Sequence, residues 1–265
     1  MLRTQFTLIA KRSITHDVYE LTYLCPDMTK EYPKHGQYVM FQLAPGLNRA
    51  YSIASFTTEQ DFSSSLTETE GLARNDKNTF TLIIKRIPDG RGSPMICDAE
   101  VGTTFSGMLP LGHFVLQDNS RTKCFIGTGT GFAPLYCQLL GCHEIRELPL
   151  DKGGWGDFSP KIAFVFGVRN LEDSFYEDEI LELRKSFESF EYVQYFSRVS
   201  DFSTILPSDS PTIRLSGYVT DFITSEIVKE YEEYYLCGSP AMVKSAREKL
   251  EALGVAKEDI FWEQF

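Results

Sequence analysis

Three things are missing from this sequence. Its six cysteines (Cys25, Cys97, Cys124, Cys137, Cys142 and Cys237) contain no C-x-x-C pair. No stretch approaches the ~20 apolar residues of a membrane span, and positive charge is outnumbered, 26 Lys and Arg against 37 Asp and Glu. The first absence disfavours zinc, so no metal site is expected, and it argues for reduced thiols in a cytoplasm-like compartment. Cys137 and Cys142 share a C-x4-C spacing, but five residues apart on a helix they diverge. With no C-x4-C-x2-C…C set, no built-in iron–sulfur cluster is expected. The first twenty residues are broken by Arg3, Lys11, Arg12, His16, Asp17 and Glu20, so no secretory signal is expected either. A net charge of −11 makes nucleic acid an unpromising partner.

The 265 residues suffice for two cores or one large one, and a hydrophobic content of 42% is that of an ordinary globular protein. The acidity is uneven. Residues 1–120 hold 11 basic and 13 acidic side chains, whereas 121–265 hold 15 and 24. The first half is therefore the better surface for an acidic partner, unless the acidity of the second half serves only solubility.

Residues 1 to about 118 read as β-structure. Phe6, Leu8 and Ala10 alternate with polar residues, and further runs follow at 18–24, 38–43, 49–54 and 79–87, separated by Pro26-Asp27, Pro45-Gly46 and Pro88-Asp89-Gly90. Short strands with regular turn signals suggest a small antiparallel barrel. The polar, aperiodic segment 57–78 reads as a long exposed loop.

Past Asp118-Asn119-Ser120 the pattern becomes alternating strands and helices. Strands are expected at 123–127, 161–167, 190–196, 233–237 and 259–262, and helices at 133–145, 175–188, 221–231 and 240–253. Ser174 and Glu177 have the spacing of a capping box. Ser239 and Pro240 supply an N-cap and a first-turn proline, and Gly254 supplies a stop. The 148–160 segment reads as an irregular insertion. Alternation of this kind predicts a doubly wound α/β unit with a five-stranded parallel sheet, so two domains are expected, 1–118 and 119–265.

The centre of the second domain is Lys123–Leu140, KCFIGTGTGFAPLYCQLL. A polar, basic lead-in bounds an apolar run, which breaks at Gly127, Gly129 and Gly131 before a helix with Pro134 in its first turn. Unpaired N–H groups and the helix dipole favour a phosphate there, although the spacing is not G-x-G-x-x-G. In the strand order 3-2-1-4-5, strands one and four flank the switch point where ligands bind. Their ends, Gly127-Thr128-Gly129-Thr130-Gly131 and Cys237-Gly238-Ser239-Pro240, would then face one crevice.

Taken together, the motifs resemble the ferredoxin–NADP(+) reductase family, flavoproteins with a flavin-binding barrel followed by a nicotinamide-binding α/β domain. Arg49-Ala50-Tyr51-Ser52 is similar to the family's R-x-Y-S/T, and Gly90-Arg91-Gly92-Ser93 to its glycine–serine phosphate turn. Pro110-Leu111-Gly112-His113-Phe114 resembles G-P-x-G-x-F, except that Leu109 stands where glycine is frequent. Gly127–Pro134 resembles G-T-G-x-G-x-A-P, and Cys237-Gly238-Ser239-Pro240 resembles C-G-x-P.

The resemblance implies FAD held through Arg49, Tyr51, Ser52, Gly90, Gly92 and Ser93, with Ser52 near flavin N5. It implies Cys237 near the nicotinamide C4, and Arg169, Ser197 and Arg198 at the adenosine end, where the last two favour NADPH, with NADH possible. It also offers Phe265 as a ring beside the flavin and Glu263 as the nearby acid, although the chain does not end in the plastid enzymes' tyrosine. The implied activity is hydride transfer between NADPH and FAD with single electrons passed to a ferredoxin or flavodoxin, by a cytoplasmic monomer. Two alternatives stay open: an NADH-fed reductase component of an oxygenase, and a non-catalytic flavin-binding subunit. Read without the family, Tyr51 and Ser52 are alternating strand residues, Arg49 and Arg169 are surface charges, and Cys237 is a buried apolar residue.

Overall fold

A computed structural model describes residues 1–58, 78–148, 154–155, 159–199 and 211–264. The chain forms two compact units, Met1–Leu116 with Tyr136–Gln138, and Gln117–Leu135 with Leu139–Phe265. Among the described residues no helix is long and apolar enough to cross a membrane. Most of the 57–78 loop, part of the 148–160 segment, and Phe265 lie outside the described residues.

In the first unit, β1 (Leu2–Ser13), β2 (Val18–Leu24), β3 (Tyr38–Ala44), β4 (Leu47–Phe56), β5 (Thr79–Lys85) and β6 (Thr104–Leu111) close a barrel in the order β1-β2-β5-β4-β3-β6. All the ladders are antiparallel. The alternation that announces β1 puts Phe6 and Leu8 in the core, and Phe6 packs against Phe41 at 4.7 Å and Phe80 at 5.4 Å. Truncating such a buried ring costs about 3–5 kcal/mol. The closing strand β6 was not among the expected runs, because Gly107 and Pro110 interrupt its pattern. A short helix, α1 (Ser93–Cys97), follows β5.

The second unit is a parallel sheet of β7 (Lys123–Thr128), β8 (Ile162–Val168), β9 (Phe190–Phe196), β10 (Ile213–Ser216), β11 (Glu233–Gly238) and β12 (Ile260–Gln264), in the order β10-β9-β8-β7-β11-β12. Its helices are α2 (Phe132–Glu147), α3 (Glu177–Arg184) and α4 (Pro240–Ala252). The expected order 3-2-1-4-5 holds, and β10 adds a sixth strand at the edge beside strand three. One face carries an in-register aromatic row, Phe261–Tyr235–Phe125–Phe164–Tyr192, with successive centroids 4.9, 5.0, 6.2 and 6.1 Å apart. Each such pair contributes roughly 0.5–1.5 kcal/mol beyond its area. The other face buries Cys124, Ile126, Ala163, Val165, Val193 and Leu236, so both faces are covered, as a parallel sheet requires.

Two local expectations change. Residues 221–231 form no α-helix but two 3-10 turns, Val219–Phe222 and Ile227–Lys229. Their side chains bond the local backbone instead, Asp221 Oδ2 accepting from the Tyr218 N–H at 2.8 Å and Thr224 Oγ1 from the Ile227 N–H at 3.3 Å. The Ser174–Glu177 box does not form, because both side chains are taken by distant groups. Ser174 Oγ accepts from Gln194, Glu177 pairs with Arg214, and α3 starts at Tyr176 in a left-handed conformation. Lys123, the basic residue that opens β7, is buried. Its Nζ lies 3.2 Å from Glu233 Oε2, and the two side chains are 0% and 1% exposed. It also donates to Asn119 O, Asn119 Oδ1 and Arg121 O at 3.0, 2.8 and 3.0 Å. Ser239 does cap α4, its Oγ accepting from the Met242 N–H at 3.3 Å, and beyond Leu253 the chain turns at Gly254 with φ +91°.

Candidate cofactor and nucleotide sites

In the barrel unit, Arg49 and Tyr51 lie two apart on β4 and share a side. The Tyr51 ring meets Phe41 edge-on at 5.7 Å. Ser52 is buried and opposite Tyr38 in register. The Gly90–Ser93 turn, remote in sequence, lies directly on this pair. A Cβ at Gly92 would fall 2.6 Å from Arg49 Cγ and 3.2 Å from Tyr51 Oη, so a side chain there would displace Arg49. A Cβ at Gly90 would lie 3.0 Å from the Ile87 carbonyl. Ser93 Oγ accepts from the Ile87 N–H at 3.0 Å, which closes the turn and opens α1. Burial first, and Cys97 second, push the Tyr51 phenol up to about 12 against the opposing pull of Arg49, so it stays a neutral donor. The Arg49 guanidinium is exposed, with Nη1 donating to Asn48 O at 2.7 Å. An exposed cation, a neutral phenol and a glycine-containing turn fit a flavin phosphate and its ring. Leu109, where the family often has glycine, is fully buried in the barrel.

In the sheet unit the two glycine turns close on one another. Gly127 pairs in register with Cys237, and Cys237 with Glu263, so the three lie in a row on β7, β11 and β12. Gly129–Gly131 form a single 3-10 turn leading into α2. A Cβ at Gly131 would stand 2.3 Å from the Cys237 carbonyl oxygen and 2.6 Å from the Gly238 nitrogen. One at Gly238, whose φ is +150°, would stand 2.3 Å from Thr128 Oγ1. Gly129, at φ +56°, faces nothing within 4 Å. Thr130 completes the turn, and Pro134 sits in the first turn of α2, as expected. The Cys237 thiol is fully buried, and desolvation, reinforced by Glu263, drives it well above the usual thiol range. It packs as a neutral group and is no thiolate nucleophile.

Arg169 follows β8, and Ser197-Arg198 follow β9. All three are exposed, and their backbones are joined, the Ser197 N–H donating to Val168 O at 3.1 Å and the Arg198 N–H to Arg169 O at 3.0 Å. Two further residues at this edge escaped the sequence reading. Tyr218, 66% exposed, follows Gly217 at φ +127°, whose N–H donates to Phe196 O at 3.1 Å, next to Ser197. A Cβ at Gly167 would lie 3.0 Å from Thr128 Cγ2 and 2.6 Å from Val219 Cγ1. The signal for Tyr218 was its Ser-Gly-Tyr setting, which is uninformative without the strand β10 before it.

Comparison with known proteins finds relatives across the whole chain. A family model described as the oxidoreductase NAD-binding domain matches residues 125–248. The reductase component of propane 2-monooxygenase from Mycolicibacterium smegmatis is 30% identical over 267 residues, covering 100% of this chain and 67% of the relative. The corresponding component from Rhodococcus jostii is 31% identical over 269 residues, covering 100% of this chain and 63% of the relative. The chain thus spans about two thirds of the length of these relatives. Among solved structures, a ferredoxin NADP+ reductase from Neisseria gonorrhoeae with bound FAD and NADP superposes with a TM-score of 0.70 at 19% identity, covering 99% of this chain and 98% of that one. With this fold, these two glycine-built sites and these relatives, the chain belongs to the ferredoxin–NADP(+) reductase-like family of FAD- and NAD(P)-binding flavoprotein oxidoreductases.

Proposed function

We propose that this protein takes hydride from NADPH and delivers single electrons to a separate iron–sulfur or flavin carrier, a ferredoxin or flavodoxin. The observation that carries the reading is the closure of the Gly131 turn on the Cys237–Gly238 backbone, at the carboxyl ends of the two central strands. FAD, when bound, supplies the conversion of a two-electron donor into one-electron steps.

The chain's own residues have separable tasks. Arg49 offers a charge-assisted contact to phosphate, Gly92 lets the 90–93 turn approach, and Tyr51 lends a flat, neutral ring. Ser52 is the candidate hydroxyl beside the flavin ring. The N–H groups of the Gly129–Gly131 turn and the start of α2 receive the nucleotide phosphates. Cys237 fills space neutrally under the nicotinamide, with Glu263 in register beside it as the candidate acid. Ser197, Arg198 and Arg169 receive the adenosine phosphate, for which an arginine fork is suited, and this favours NADPH over NADH. Ser239 and Pro240 fix the start of α4 behind Gly238.

A second reading, the NADH-fed reductase component of an oxygenase, is favoured by the two propane 2-monooxygenase reductases. All six cysteines are free and buried, which suits a reducing compartment such as the cytoplasm. The test is stopped-flow reduction of the FAD-loaded protein by NADPH and by NADH, followed by reoxidation with ferredoxin, flavodoxin and an oxygenase component. Preference for NADPH with fast reoxidation by ferredoxin or flavodoxin supports the first reading. Preference for NADH supports the second, and no reduction by either nucleotide refutes both.

A further inference from the structure

The start of α3 is built under strain. Tyr176, its N-cap, has φ +60° and ψ +22°, a left-handed conformation in which a bulky side chain is an outlier. Glycine would adopt it freely, so the surroundings must hold the tyrosine there. Two sets of contacts do so, and they lead to opposite ends of the nucleotide site.

On one side the Tyr176 ring packs edge-on against Phe132 at 5.4 Å and Phe175 at 6.0 Å. Phe132 is the first residue of α2, directly after Gly131 of the phosphate turn, and it is locked against Phe166 and Phe175 at 5.0 Å each. On the other side the next residue, Glu177, accepts from Arg214 Nη2 through both carboxylate oxygens, at 2.6 and 2.5 Å, and from Thr212 Oγ1 at 2.8 Å. The pair is mostly buried, 15% exposed at Arg214 and 24% at Glu177. Arg214 Nε reaches Gln194 Oε1 at 3.3 Å, and the fully buried Gln194 donates to Ser174 Oγ and Tyr192 Oη at 2.7 Å each.

Arg214 belongs to β10, an edge strand held to β9 by only four residue pairs, Ile213–Ser216. The next residues are Gly217 and Tyr218, beside Ser197-Arg198. So short a strand gains little from its ladder, and the Glu177 clamp adds a mostly buried ion pair that fixes it.

Resting on the reading of this unit as a dinucleotide site, we propose that the Tyr176–Glu177 corner is a brace between the phosphate turn and the adenosine end, with Glu177 and Arg214 acting as positioning residues for the adenosine half. Arg214 is committed to Glu177 and Gln194, so it orders β10 and the Gly217–Tyr218 turn and leaves direct phosphate contact to other residues. The competing assignment, Arg214 as a direct phosphate ligand, predicts the opposite sign. Removing the Glu177 charge would then free the guanidinium and tighten binding.

The experiment uses the FAD-loaded protein and its Glu177→Gln, Arg214→Met and Tyr176→Gly variants. Calorimetry measures binding of ADP and NADP+, and stopped-flow measures flavin reduction by reduced nicotinamide mononucleotide, which lacks the adenosine half. Glu177→Gln and Arg214→Met should each weaken ADP and NADP+ by about 3- to 30-fold, the range of mutations that act through a packed network. Reduction by the mononucleotide should be unchanged. Tyr176→Gly, which accepts the backbone conformation but loses the ring on Phe132, should impair both halves. Tighter ADP binding in Glu177→Gln, unchanged ADP binding in Glu177→Gln and Arg214→Met, or equal loss of both halves with a lowered Tm in those two variants would overturn the brace. If the wild-type protein binds neither ADP nor NADP+, the dinucleotide-site reading fails first and the brace falls with it.

Discussion

Replacing Gly131 by alanine is the most direct test of the idea that the two glycine turns are fitted to each other. The backbone at Gly131 has φ −60° and ψ −11°, an ordinary helical conformation, so alanine pays no penalty there and gains roughly 0.5–1 kcal/mol from lower chain entropy in the unfolded state. The steric side points the other way. The added methyl would stand 2.3 Å from the Cys237 carbonyl oxygen and 2.5 Å from its carbon, both backbone atoms of a central strand. Restoring ordinary contact of about 3.4 Å needs a shift of roughly 1 Å between α2 and the end of β11. Overpacking of this kind costs about 1–3 kcal/mol, a loss of a few degrees in Tm for a chain of this size. Function should suffer more, because roughly 1 Å of misplacement near a reacting group can cost on the order of 10²-fold in rate. The assay is single-turnover flavin reduction by NADPH, with FAD content measured as the control. Gly129→Ala supplies the contrast. It meets nothing within 4 Å but forces a side chain to φ +56°, so it should cost about 1–2 kcal/mol of stability with a much smaller effect on rate. If Gly131→Ala is reduced as fast as the wild type, the fitted-turn argument is wrong.

Four further outcomes follow from the same geometry. Arg49→Ala should weaken FAD by about 1.5–3 kcal/mol, the worth of a charge-assisted contact, as read by fluorescence titration; unchanged affinity removes Arg49 from the site. Cys237→Ala should keep FAD and the fold but slow flavin reduction. Because burial raises the folded-state pKa of the thiol, it stays protonated through neutral and mildly alkaline pH, so the wild-type rate should show no thiolate titration between about pH 6 and 9. Arg198→Ala should lose on the order of 10- to 100-fold in kcat/KM for NADPH and hardly change NADH turnover; equal losses point to the oxygenase-reductase reading. Lys123→Met, which leaves the buried Glu233 carboxylate only the Arg121 guanidinium at 3.5 Å as a cation, should cost about 3–5 kcal/mol in urea unfolding, and a loss below 1 kcal/mol would show that the Lys123–Glu233 pair is not closed in solution.

What could be read in advance was whatever depends on a residue's own backbone or its nearest neighbours. Gly127, Gly131 and Gly238 were legible because close approach of two chains admits glycine alone, and Ser239-Pro240 because a cap is local. The strand order followed from the alternation of strands and helices. What escaped was decided at long range. Glu177 sits three residues after Ser174 and reads as its capping partner, yet Arg214, thirty-seven residues on, takes it. The strand that carries Arg214 is too short to show a period. Residues 221–231 carry enough apolar side chains for a helix, but Thr224 and Asp221 bond the local backbone and end each turn early. Gly92 was legible as a turn residue, whereas its fit against Arg49 Cγ and Tyr51 Oη exists only once the barrel closes.

Lys123 gives the clearest view of how the second unit is organised. A parallel sheet that is apolar on both faces has little to fix its register, because sliding β11 along β7 exchanges one aliphatic or aromatic contact for another. At the amino-terminal edge that freedom is removed. Lys123 stands opposite Glu233 in register, with Asn119 Nδ2 donating to Glu233 Oε1 at 2.7 Å, Tyr235 Oη donating to Glu233 Oε2 at 2.8 Å, and the Gln117 N–H donating to Tyr235 Oη at 3.0 Å. A one-residue slip would strand both charges in an apolar interior at a cost of several kcal/mol, far more than the slip could recover in packing. Four residues further along the same two strands, Gly127 stands opposite Cys237, where backbone atoms leave no room for a Cβ at Gly131. The polar pair at one end therefore specifies the alignment, and the glycines at the other end depend on it. The register that the glycine turns need is thus held by charges at the opposite edge of the sheet.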